Sequence, residues 1–379
     1  MRLSFVLLTL CATLATFATG ASSRAPQSKR SGARATAELR PFDGSYDEAL
    51  ARAIERNVPL IALAIAEEHG KELDDDIRQF RDALFNAPAL AASAELAVVV
   101  LASNGVHPPK TIEVVEGESK TTRQVCSVFR TSSCQAHQKQ FDRVYAEHNN
   151  EGELRNPSVF LLGVDRKVVR AWNTGSVPEW SAVAAAQSEL QKKLGEGLTE
   201  AQFGDVTALM PQGATAEQNK QWGGAFTVWG KVLAITQGTK FATAAREGQT
   251  RALAALDAAL ATAREGLEKE GAAVESYKTL LALQREWTGT AREKDLAREV
   301  LAAEKHKLAK DAIAAYKREL EAEAVWRQAE EFLDAGNEKA ALAKMRVILR
   351  KYAGSPADKR VRERFPELAA EEDAKKNGG

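Results

Sequence analysis

The stretch VPLIALAIAEEHGKEL, residues 58–73, decides the fold. Its apolar run is unbroken from Val58 to Ala66 and then gives way to charged residues and a glycine, which reads as a buried strand. Just upstream, SYDEALARAIERN (45–57) sets Tyr46, Leu50 and Ile54 at helical spacing. Downstream, KELDDDIRQFRDALFN (71–86) gathers Ile77, Phe80, Leu84 and Phe85 on one side of a helix, and ELAVVVLAS (95–103) is another β-branched run. Helices alternating with strands imply a parallel sheet core.

The alternation continues after an interruption. Residues 105–133 are polar, contain His107, Pro108 and Pro109, and read as an insertion. CQAHQKQFDRVYAEHNN (134–150) is again helical. RNPSVFLLGVDRKVVRAW (155–172) holds two apolar runs split by Gly163, Val164 and Asp165, a hairpin signal, and VPEWSAVAAAQSELQKKL (177–194) closes the series as a helix.

This order, with Asn156-Pro157 opening the third strand, resembles the thioredoxin fold over residues 40–198. VPLIALAIAEEHGKEL is similar to the strand that runs into that family's active-site turn, and LFNAPALAASAELAVVVLAS (84–103) to the helix-to-strand passage that follows. The resemblance implies a cis peptide bond at Pro157. The family's chemistry needs a Cys-x-x-Cys whose thiolate sits at a helix N-terminus. Here Glu68, His69, Gly70 and Lys71 occupy that place, so dithiol exchange there is not expected and the fold is expected to serve as a scaffold. The acidic run Glu72 to Asp76 suits the positive end of a helix dipole without a catalytic role.

Beyond residue 206 strand signals vanish, and alanine, leucine, glutamate, lysine and arginine dominate, which predicts helices. Three segments end alike: VWGKVLAITQGT (228–239), YKTLLALQREWTGT (277–290) and MRVILRKYAGS (345–355). Each places a glycine (Gly238, Gly289, Gly354) before a hydroxyl residue (Thr239, Thr290, Ser355), suited to ending one helix and capping the next. Trp229, Leu280 and Met345 stand at equal distance before these glycines, as do Val232, Leu283 and Ile348. With the preceding helix, as in WRQAEEFLDAGNEKAALAKMRVIL (326–349), the pattern resembles degenerate tetratricopeptide-like hairpins across 206–370, with residues 371–379 expected to be a disordered tail. Trp229, Trp287 and Trp326 are expected to fill helix interfaces. Such hairpins imply a protein partner bound by the repeats.

The expected class is thus an α/β thioredoxin-like domain followed by an all-α helical-hairpin domain. The N-terminus, MRLSFVLLTLCATLATFATGASS, reads as a signal peptide over residues 1–20, with a polar linker over 21–39, so export to a periplasm or beyond the cell is expected. The apolar part is too short for a stable transmembrane anchor. Bulky Leu10 before Cys11 argues against a lipid anchor. Fifty-two basic residues balance 52 acidic ones, leaving no electrostatic footprint for nucleic acid.

Without the leader, Cys126 and Cys134 are the remaining thiols. In an oxidising compartment a structural disulfide is the default, and a redox-active pair is the alternative. A third reading joins Cys126 and Cys134 to His137, three residues on, as a copper or zinc site that His107 could complete. His148 is too far along the same helix to join His137. No phosphate-cradling loop, nucleophile elbow, paired zinc histidines or calcium loop occurs, so no catalytic residue and no cofactor is assigned. The expected function is a non-catalytic exported adaptor or chaperone-like protein; the alternative is a thiol-disulfide oxidoreductase or metal-handling protein using Cys126 and Cys134.

Overall fold

The computed structural model describes residues 39, 41–67, 75–116, 119–148, 155–269 and 271–377. The leader, Cys11, the linker up to residue 38 and the Glu68–Lys71 stretch lie outside the described residues.

The first half builds a mixed α/β domain. In chain order it contains α1 (Tyr46–Arg56), β1 (Leu60–Ile65), α2 (Asp75–Phe85), α3 (Pro88–Ser93), a 3-10 turn (Ala94–Leu96), β2 (Val98–Ser103), β3 (Pro109–Glu116), β4 (Ser119–Cys126), α4 (Cys134–His148), β5 (Ser158–Leu162), β6 (Val168–Trp172) and α5 (Trp180–Leu194). The main sheet runs in the order β2-β1-β5-β6. β1 and β2 are parallel, but β5 pairs antiparallel with β1 and β6 antiparallel with β5. The sheet is therefore mixed rather than parallel throughout, because strand direction depends on which end of the sheet the chain re-enters, and composition does not encode that.

All six residues of β1 and of β2 are buried. The pleat sends Leu60, Ala62 and Ala64 toward α1 and α4, where Tyr46, Leu50, Phe141 and Val144 pack. It sends Ile61, Leu63 and Ile65 to the other face, against Phe80, Leu84, Leu90, Trp180 and Val183 of α2, α3 and α5. Helices thus cover both faces, as the uninterrupted apolar strands require. His148 ends on the first face, its Nε2 3.0 Å from the Tyr46 hydroxyl and its ring stacked on Phe160, away from His137.

The expected insertion is a hairpin. β3 and β4 pair from Pro109 opposite Cys126 to Glu116 opposite Ser119. That register returns the chain to its starting point, placing Cys126 beside the segment that carries His107.

The second half is helical: α6 (Glu200–Gln218), α7 (Trp222–Ile235), α8 (Lys240–Leu267), α9 (Ala273–Glu286), α10 (Glu293–Lys305), α11 (Lys310–Asp334), α12 (Glu338–Lys351), α13 (Pro356–Arg364) and α14 (Pro366–Asn377). Trp229, Trp287 and Trp326 are buried. The Trp229 ring fills the space that a Cβ on Gly213 of α6 or Gly248 of α8 would take, and its Nε1 donates to Glu217 at 2.7 Å. Gly354 takes the left-handed conformation at φ 84° and Ser355 caps α13 by accepting from the Asp358 N–H. Gly289 is likewise left-handed, whereas Thr239 precedes α8 without a side-chain cap. The expectation of a disordered tail from residue 371 is corrected: α14 runs to Asn377. Glu372 accepts from the Arg350 guanidinium and Asp373 from that of Arg362, so charges on α12 and α13 order a segment with little apolar content. Among the described residues no helix is long and apolar enough to cross a membrane.

The two halves meet at Arg56, which is only 3% exposed. Its Nε donates to the Leu198 carbonyl at 2.9 Å, one terminal nitrogen to the Glu95 carbonyl at 2.8 Å, and the other to Glu200 at 3.0 Å. Glu200 is largely exposed, so most of the effect lies in the carbonyl bonds. Arg56→Met is expected to lower stability by about 2–3 kcal/mol in chemical denaturation, against less than about 1 kcal/mol for Glu200→Gln. Equal effects would locate the junction in the ion pair instead.

Candidate metal centre

His107, Cys126, Cys134 and His137 converge where β1 and β2 end. One donor atom from each, two sulfurs and two imidazole nitrogens, lies within 4.8 Å of all the others. The four come from three elements. His107 sits between β2 and β3, Cys126 closes β4, and Cys134 and His137 share the first turn of α4, where a three-residue spacing puts them on one face.

Each imidazole is oriented by its outer nitrogen. His137 Nδ1 is 2.7 Å from the Ser103 carbonyl, which can only accept, so Nδ1 carries the proton and Nε2 presents a lone pair. That Nε2 is buried and makes no hydrogen bond of good geometry, with the Cys126 sulfur as a weak partner, and the residue is fully sequestered. His107 Nε2 lies 2.9 Å from Glu67 Oε2, leaving Nδ1 to face Cys126 Sγ at 3.4 Å and Cys134 Sγ at 3.8 Å. Glu67 is held in turn: its other oxygen accepts from Ser103 Oγ at 2.8 Å, and its own N–H donates to Asn104 Oδ1 at 2.6 Å. A Cβ at residue 105 would collide with the Glu67 carboxylate, which explains the glycine there.

The sulfurs are prepared differently. Cys126 is 2% exposed, behind the fully buried Phe129, whose N–H donates to its Sγ at 3.4 Å. Cys134 is half-buried, and its Sγ accepts the His107 N–H at 3.2 Å. Both thiols are free, so the pair anticipated from the cysteine count is brought together without an S–S bond.

Burial raises the Cys126 thiol, but hydrogen bonding with His107 and His137 and from the Phe129 N–H outweighs it and leaves the thiol well below its ordinary range. Burial likewise disfavours a charged His107, yet its bonds to Cys126 and Glu67 raise it above the usual imidazole range. Glu67 is desolvated too, and the same His107 bond together with the Ser103 hydroxyl keeps it below the usual carboxylate range. A carboxylate, an imidazolium and a thiolate thus form a continuous line in which one positive charge lies between two negative ones.

All three sequence-proposed ligands meet here, and His107 completes them. Glu67, Ser103, Gly105 and Phe129 went unread in the sequence, because they are supplied by strand ends and a turn with no shared local pattern. The Asn156–Pro157 peptide is cis, and the Asn156 side-chain amide accepts from the Ala66 N–H through Oδ1 and donates to the Ala66 carbonyl through Nδ2, beside Glu67. No protein-family model matches the chain, and no curated protein matches it either.

In the metal-free chain the ultraviolet thiolate absorbance should persist at neutral pH and disappear only on acidification through the lowered Cys126 range. Cys126→Ser should abolish this signal; Glu67→Gln should move its midpoint upward by loosening His107. A Cys126 thiol titrating in the ordinary range would contradict the arrangement.

Proposed function

We propose that this chain is an exported, non-catalytic metal-holding protein, in which the α/β domain binds one zinc-class divalent cation through Cys126, Cys134, His107 and His137. The observation that carries it is the set of four convergent donors, with the buried Nε2 of His137 making no hydrogen bond of good geometry. Zn–S distances of about 2.3 Å and Zn–N distances of about 2.0–2.1 Å put tetrahedral donors roughly 3.3–3.8 Å apart. The two sulfur–nitrogen separations at His107, 3.4 and 3.8 Å, fall at that spacing. A carbonyl and a carboxylate on the outer imidazole nitrogens are the partners that metal-bound histidines require. Four protein donors close the coordination sphere, which suits holding a metal rather than activating a water on it.

We read residues 40–198 as thioredoxin-like, supported by the β2-β1-β5-β6 order and the cis bond ahead of β5. The helical half we read as degenerate hairpins with a protein-binding role, supported by the shared burial of Trp229, Leu280 and Met345 and by a cleft of about 480 Å³ lined by Glu268, Ala273, Val274, Leu308 and Ala312. The leader-like residues 1–20 support export.

The full chain, stripped of metal and titrated with Zn²⁺ against a competing chelator, should bind one ion per molecule with proton release, more tightly as pH rises, because each ligand must be deprotonated at its donor atom. His137→Ala should abolish tight binding. Glu67→Gln should weaken it on the order of 10–100-fold with the fold intact. Stoichiometry unaffected by His137→Ala would overturn the reading.

A further inference from the structure

We infer that the same site is a dithiol that exchanges with low-molecular-weight disulfides, so that oxidation of Cys126 and Cys134 expels the cation. This rests on the metal reading, and the asymmetry of the two sulfurs carries it further. A metal site built only for structure gains nothing from exposing a ligand. Here Cys126 is sealed behind Phe129 while Cys134, the first residue of α4, is half-buried and flanked by exposed Ser133 and Gln135. An incoming disulfide meets Cys134 first.

Both sulfurs are fixed in place by hydrogen bonds. Cys134 Sγ accepts the His107 backbone N–H, and Cys126 Sγ accepts the Phe129 N–H and faces His107 Nδ1. They also belong to one cluster spanning no more than 4.8 Å, so an S–S bond of about 2.05 Å is within a local rearrangement.

The chemistry balances without a further reactant. The Cys134 thiolate attacks one sulfur of a disulfide RSSR, forming Cys134–S–SR and releasing RS⁻. The Cys126 thiolate then attacks the Cys134 sulfur, forming the Cys126–Cys134 disulfide and releasing the second RS⁻. Two electrons pass from the protein thiolates to RSSR and no proton is consumed. The cation keeps only two imidazole ligands and leaves.

The test uses the full chain loaded with one Zn²⁺ and titrated with oxidised glutathione. A chromogenic chelator follows released zinc, and mass shift after alkylation follows free thiols. The expected result is one zinc released for every two thiols lost, with Cys126 and Cys134 joined in the peptide map. In Cys126→Ser a glutathione adduct should stall on Cys134, whereas Cys134→Ser should resist modification. Zinc retained with both thiols intact in excess oxidised glutathione would overturn the inference, as would a first adduct on Cys126. A chain that takes up no zinc would sink the metal reading instead. Its metal-free form in the same titration would still decide whether the disulfide forms through Cys134.

Discussion

Six consecutive residues of β1, Leu60–Ile65, are sealed between two helical layers, so the strand cannot slip by a residue without turning Leu60, Ala62 and Ala64 toward the wrong face. That locks the point at which the chain leaves the sheet, and Glu67 stands two residues past it. With its carboxylate fixed by Ser103 and its N–H by Asn104, Glu67 gives His107 one orientation. His107 in turn presents Nδ1 and its backbone N–H to the two sulfurs. The site is therefore built outward from an immobile strand end, and a buried polar chain of this kind is tolerated only because each link has its partner.

The orphan at the end of that chain is His137 Nε2. It makes no hydrogen bond of good geometry, and leaving a buried imidazole acceptor unpaired costs about 1–3 kcal/mol. A cation among the four donors removes that cost and neutralises thiolate charge. This is why we favour a metal over a cluster kept for packing alone.

The core of the α/β domain was legible because it obeys local periodicity: the run from Val58 to Ala66 and the repeat of Ile77, Phe80 and Leu84 have one reading each. Cys134 and His137 were legible for the same reason, as neighbours on one helical turn. The antiparallel entry of β5 was not, since apolar runs carry no direction. The ordered α14 was missed because its support comes from Arg350 and Arg362 on other helices. Glu67 and Gly105 escaped notice because their meaning exists only after β1 and β2 lie side by side: one of 52 acidic residues and one of 25 glycines, they stand out by position in space alone.

The central claim is a cation held by two sulfurs and two imidazole nitrogens. X-ray absorption at the zinc edge of the loaded full chain measures that directly. The account predicts a four-donor shell with two sulfurs at about 2.3 Å and two nitrogens at about 2.0–2.1 Å. A shell of oxygen and nitrogen without sulfur, or one that retains both imidazoles' scattering in His107→Ala and His137→Ala together, would contradict it.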